Sequence, residues 1–295
     1  MHTYRKALNS KIKSCDVGSL PFAGKIERFL NGALKFGTRY HDDKAEYFQS
    51  KIVQAFLNKA QAGIDIPYYP QFRNMNDMFL GMLDGVEQRK GGYEETKHIT
   101  LKGERKAIPE VIAIKENSQE ISEKLDKPYE LGVCVTGPYT LSSLLAFRDE
   151  SLFLRLGRVI CQLIENTVFQ GKYGGVSLVS VDEPVFGLAD DPSMDVGSQE
   201  RENLRKSWEL IFRRAYSNSI RTCLHLHNTS NKLFWEVESL NIVESEMDDS
   251  LYCDKETKRN LEYYDKFLKA NVCRTNFDLL LRENVIASCT HKVDE

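Results

Sequence analysis

No apolar run in the sequence approaches the ~18 residues needed to cross a bilayer, which excludes a transmembrane helix. No apolar signal-peptide core follows the polar opening Met1-His2-Thr3-Tyr4-Arg5-Lys6. Neither sign of charge is in excess: 40 Lys and Arg stand against 43 Asp and Glu, a formal charge of −3. That balance gives no electrostatic reason to expect nucleic acid or an anionic membrane as partner. The seven cysteines are scattered singly, without the dense even spacing of a secreted disulfide framework, so a reducing cytoplasm is the expected compartment. There is no Walker phosphate loop, no dinucleotide fingerprint and no Gly-x-Ser-x-Gly elbow. Histidine is scarce as well; away from the termini only His41 and His98 accompany the pair His225 and His227.

What is present is the composition of an ordinary globular chain, 41% hydrophobic and 28% charged over 295 residues, enough to bury a large core. Short β-branched runs recur, each followed by a helical stretch. Strands are expected at 14–20, 63–67, 131–136, 176–181, 220–227, 240–245 and 270–275. Helices are expected at 43–62, 152–169, 204–216 and 254–268; the first sets Phe48, Ile52, Phe56 and Ala60 on one face. Residues 91–127 are highly charged and read as a surface insertion in a single domain spanning 1–295. Alternation of this kind argues for a parallel sheet, and seven or eight units argue for a (β/α)8 TIM barrel over an open doubly wound sheet. The eighth unit is the exception. Residues 285–289 read as a strand, but the connection 278–284 is too short for a helical crossover. The barrel is therefore expected to close irregularly or to stop short of its last unit.

In such a barrel the C-terminal strand ends build the active site. Here they carry Gly18-Ser19, Arg73-Asn74, Thr136-Gly137-Pro138-Tyr139, Asp182-Glu183-Pro184, His225 with His227 and Thr229, Glu244, and Cys273-Arg274 with Asn276. His225 and His227 are two apart on a strand and point the same way. With a carboxylate one strand away they suit a borderline cation such as Zn²⁺; the plain alternative is hydrogen bonding within the barrel. Asp182 and Glu183 could bind a substrate amine or act as acid and base; an isolated Asp-Glu-Pro reads rather as a helix-start or loop carboxylate pair. Glu244 and Glu246 share a face, whereas Asp248 and Asp249 read as solvated. Cys273 would be a soft zinc ligand as a thiolate, although lone strand cysteines are more often small apolar fillers.

Taken in order, these strand ends resemble the catalytic barrel of cobalamin-independent methionine synthase, within a group that includes corrinoid-dependent methyltransferases and uroporphyrinogen decarboxylase. Val17-Gly18-Ser19-Leu20-Pro21 resembles the family's Gly-Ser-Phe-Pro turn, and Phe72-Arg73-Asn74 its Glu-Arg-Asn. Thr136-Gly137-Pro138-Tyr139-Thr140 resembles its Thr-Gly-Pro-Val-Thr, and Val181-Asp182-Glu183-Pro184 its Ile-Asp-Glu-Pro. His225-Leu226-His227 resembles its His-x-His strand, and Val243-Glu244-Ser245 the Ile-Glu strand that follows. The resemblance implies methyl transfer to a thiol such as homocysteine, with zinc holding the sulfur as a thiolate. It implies zinc ligands at His227 and Glu244, with Cys273 as substitute for a missing cysteine, and substrate contacts at Ser19, Arg73, Asn74, Asp182 and His225. Thr229 stands where the family has a zinc cysteine, and Pro70-Gln71-Phe72 where it has a glutamate before the arginine. Likeness to the short core-only relatives implies a methylated corrinoid protein, or a pterin, as donor. The alternatives are a metal-free decarboxylase-like enzyme and a non-catalytic barrel that serves as a binding subunit.

Overall fold

The computed structural model describes residues 12–90, 92–103, 106–272 and 282. Its strands, in chain order, are β1 (Leu83–Arg89), β2 (Gly92–Leu101), β3 (Tyr129–Thr136), β4 (Gln170–Gly171), β5 (Gly174–Glu183), β6 (Arg221–Leu226), β7 (Ile242–Glu244) and β8 (Phe267–Lys269). The long strands β3, β5 and β6 are almost wholly buried runs, as a parallel sheet covered on both faces requires. They pair in the order β3-β5-β6-β7-β8, all parallel, with β4 adding a short antiparallel edge to β5.

The two expected N-terminal strands extend this sheet through isolated bridges. Cys15 pairs with Ile66 and Ser19 with Gln71, and Tyr68 pairs with Gly132 of β3, all parallel. Pro67 and Pro70 remove two N–H donors from the second segment, which is why no continuous ladder forms. Side chains supply the missing ties. Asp16 accepts from the Tyr68 N–H at 2.7 Å, and the buried Lys59 ammonium reaches Asp16 at 2.5 Å. The same ammonium donates to the carbonyls of Gly18 and Tyr68, each at 3.1 Å. Lys59 comes from the helix Asp43–Gln61, which Asp42 caps through the N–H groups of Lys44 and Ala45, and whose Phe48, Ile52 and Phe56 enter the core as expected.

Two expectations are corrected. The charged stretch 91–127 divides: β2 forms an antiparallel hairpin with β1, but the helix Pro109–Glu116 buries Val111, Ala113 and Ile114 in the core. It belongs to the connection between the second strand and β3 and is no surface decoration. The seventh strand lies at Phe267–Lys269, earlier than 270–275, because the preceding helix ends at Tyr263. Residues 273–275 and the expected eighth strand at 285–289 fall outside the described residues. A closed barrel is not seen among those described, although the Lys269 ammonium donates to the Asp16 carbonyl at 3.3 Å, tying β8 to the first segment. No helix among the described residues is long and apolar enough to cross a membrane.

Packing is close where segment 66–71 meets β3. A Cβ on Gly132 would lie 2.8 Å from the Tyr68 ring, itself fully buried. Gly132→Ala should therefore cost about 1–3 kcal/mol by overpacking. It should lower the urea midpoint without changing the slope. An unchanged midpoint would show that the ring can move aside.

Candidate active site

Parallel registry aligns one residue from each central strand. Thr136 of β3 pairs with Asp182 of β5, Asp182 with His225 of β6, His225 with Glu244 of β7, and Glu244 with Lys269 of β8. In-register neighbours share a sheet face, so five polar side chains form one row at the C-terminal strand ends. Four of them, from Asp182 to Lys269, line a cavity of about 720 Å³. Ser19 and Gln71 of the bridged segments line it too, with His227 and Glu246 toward its rim.

The charges around this cavity are matched. Asp16 is paired with Lys59. Asp182 accepts from the Ser180 hydroxyl at 2.8 Å and lies 3.6 Å from His225 Nδ1. Glu244, almost fully buried, meets the Lys269 ammonium at 2.7 Å. Glu246 lies 3.5 Å from His227 Nε2. Burial favours the neutral ring of His225, but Asp182 and Glu244 outweigh it and hold the imidazole above its ordinary value. Burial and the neighbouring His225 push His227 below its own. Lys269 is drawn down by burial, yet Glu244 beside it keeps the ammonium above the usual lysine range. Its charge also sits 5.1 Å from the centroid of the Tyr68 ring. Burial raises the thiol of Cys15, in the cavity wall, which keeps it protonated.

Ser19, Asp182, His225, His227 and Glu244 are thus brought together around one cavity. Other expected residues are placed elsewhere. Glu183 alternates with Asp182 and so points to the other sheet face, where its carboxylate accepts from the N–H groups of Tyr139 and Thr140 and from Trp208 Nε1 at 2.7–3.0 Å. Burial pushes this carboxyl up to about 7, against the pull of those donors. Gly137 makes room for it, since a Cβ there would lie 2.2 Å from the carboxyl carbon. Arg73 forms a bidentate pair with the buried Glu110, both bonds 2.8 Å, and Asn74 caps the helix Met75–Gly81. None of these three lines the cavity. Thr229 is buried, and its N–H and hydroxyl are both taken by Asp249, which also accepts from Leu251 N–H and so is not simply solvated. Cys273 lies outside the described residues.

Sequence reasoning missed Lys269, Gln71 and Lys59. Only for Gln71 was there a signal, its place where the resemblance expects a polar substrate contact. For a divalent cation, the donor atoms that fit among the described residues are those of His225, His227 and Glu246, all within 4.8 Å of one another. Glu244, one of the ligands that the resemblance implied, is occupied by an ammonium instead.

No protein-family model matches the chain, and comparison with curated proteins finds no significant match. Among solved structures the chain is similar to a B12-independent methionine synthase from Shewanella sp. W3-18-1, in complex with selenomethionine. The identity is 14%, the match covers 78% of this chain and 72% of that one, and the TM-score is 0.51. At that identity the likeness is one of fold. A 3-keto-D-glucoside 4-epimerase from E. coli, in its apo form, matches at 10% identity over 81% of this chain and 94% of that one. Its TM-score of 0.37 is too low to carry an argument.

The Glu244–Lys269 pair has a direct test. Glu244→Gln leaves a buried ammonium unmatched and should cost about 3–5 kcal/mol, whereas the neutral pair Glu244→Gln with Lys269→Met should recover most of it. A double-mutant cycle in urea measures the coupling. A Glu244→Gln protein as stable as wild type would mean the pair is solvated rather than buried.

Proposed function

We propose that the chain is a methyltransferase that moves a methyl group to the sulfur of a small thiol, homocysteine or a related amino acid. The donor would be a methylated corrinoid carried by a partner protein, or a pterin. One observation carries the reading: Ser19, Asp182, His225, His227 and Glu244, drawn from four separate motifs of the methionine synthase resemblance, line one cavity. The likeness in fold to a B12-independent methionine synthase agrees with it.

The residues have separable tasks. Asp182 and Ser19 offer a carboxylate and a hydroxyl to the ammonium of an amino acid, and Ser180 keeps Asp182 oriented by donating to Oδ1 at 2.8 Å. Gln71, held by Tyr69 at 3.1 Å, stiffens the wall beside Ser19. Zinc, when bound, supplies a Lewis acid that keeps a thiol deprotonated at neutral pH. His227, with its lowered basicity, is the neutral imidazole such a cation prefers. The sulfur then gains the methyl carbon as the bond from that carbon to the donor breaks.

A second reading is favoured by one specific observation, the Lys269 ammonium on Glu244. An ammonium that takes the place of a metal at Glu244 suits a metal-free enzyme of the decarboxylase type. Arg73, the other cation such a reading would use, is turned onto Glu110.

Purified protein supplied with zinc, homocysteine and methylcobalamin or a methylated tetrahydropterin should form methionine, detectable by mass spectrometry. His227→Ala should abolish this. Asp182→Asn should raise KM for homocysteine by about 10- to 100-fold, the worth of one charged hydrogen bond, and leave a thiol without an ammonium group little affected. Failure of metal-replete protein with either donor would sink the methyltransferase reading and leave the metal-free enzyme and the binding barrel.

A further inference from the structure

We infer that the metal centre of this chain is the open, thiolate-free triad His225, His227 and Glu246, and that Lys269 excludes Glu244 from it. The inference deepens the proposal above and rests on it for the metal's role, but not for the metal's binding. Three observations support it. The three donor atoms converge to within 4.8 Å, and His227 Nε2 and Glu246 Oε1 face each other at 3.5 Å, too far for a good hydrogen bond and suited to two ligands of one ion. His225 Nδ1 faces the Asp182 carboxylate at 3.6 Å, the kind of carboxylate neighbour that accompanies metal-binding imidazoles. The ligands that a thiolate-rich site would use are committed: Glu244 to Lys269 at 2.7 Å, and Thr229, a hydroxyl rather than a thiol, to Asp249.

Position along the two segments explains the displacement. His225 and Glu244 lie within β6 and β7, while His227 and Glu246 lie just past the ends of those strands, so each segment offers an inner and an outer ligand. Lys269 stands opposite Glu244 in register and neutralises the inner carboxylate, leaving the outer one. Two imidazoles and one carboxylate leave coordination positions for water or a substrate sulfur. Such a set accepts Zn²⁺, Fe²⁺, Co²⁺ and Mn²⁺ without the preference for soft ions that thiolates impose.

Cobalt titration of chelator-stripped protein tests this without any assay of activity. One Co²⁺ per chain should bind, with a visible ligand-field spectrum and no thiolate-to-cobalt charge-transfer band. His225→Ala and Glu246→Ala should each weaken binding by at least about 100-fold, the upper end of what losing a supporting partner produces. The neutral pair Glu244→Gln with Lys269→Met should bind within about threefold of wild type, well under the tenfold that 1.4 kcal/mol represents. A charge-transfer band that disappears in Cys273→Ser would overturn the inference from the spectrum alone, even if the neutral-pair protein does not fold. Absence of stoichiometric binding would overturn it too. Methyl transfer by a protein that shows the thiolate band would preserve the functional proposal while rejecting this ligand set.

Discussion

The ion pair between Glu244 and Lys269 is the interaction on which the rest of the site depends. A row of five polar residues across a parallel sheet is costly, because each leaves water without the backbone gaining anything in return. The row is tolerable when neighbours satisfy one another, and the pair supplies the strongest such link. It also has a mechanical effect. β7 and β8 are three residues each, too short to be held by their ladders alone, and the pair joins their ends while Lys269 reaches the Asp16 carbonyl. The last described strand and the first segment are thereby brought to the same mouth.

The same matching governs what the cavity can accept. Four carboxylates face two ammonium groups and two imidazoles: Asp16 with Lys59, Asp182 with His225, Glu244 with Lys269, and Glu246 with His227. The inner pairs are buried and close, so they are poor competitors for a ligand. The histidine pairs are longer, at 3.5 and 3.6 Å, and so are the more easily opened. A ligand that carries both signs, as an amino acid does, can replace those contacts group for group.

Much of this was legible in the sequence. The β-branched runs located β3, β5 and β6 because a strand buried on both faces must be apolar nearly throughout. The placement of Ser19, Asp182, His225 and His227 in one cavity follows from strand ends converging in a parallel sheet. Three things were not legible, each for a non-local reason. Lys269 looks like the end of an amphipathic helix, since a lysine after Phe267-Leu268 faces water by default; only its register opposite Glu244 turns it inward. Arg73 sits in a motif that suggests substrate, yet Glu110 claims it from a helix within a stretch that composition alone marks as decoration. Asp182 and Glu183 are adjacent and chemically alike, and alternation decides which reaches the cavity. The partners that receive Glu183 (the Tyr139 and Thr140 N–H groups and Trp208) arrive from two other elements.

The departures from the methionine synthase pattern are coupled in physical terms. A barrel that had merely lost its metal ligands would leave Glu244 as a buried carboxylate without a counter-charge, an arrangement that costs several kcal/mol. Here the hydroxyl of Thr229 is tied off by Asp249, and an ammonium meets Glu244 at the distance of a strong charge-assisted bond. Both side chains therefore have partners within the chain itself. Beyond those pairs, toward the rim, a second carboxylate and two imidazoles remain without partners of comparable strength. The inner acid is thus neutralised, while three donor atoms toward the rim converge to within 4.8 Å.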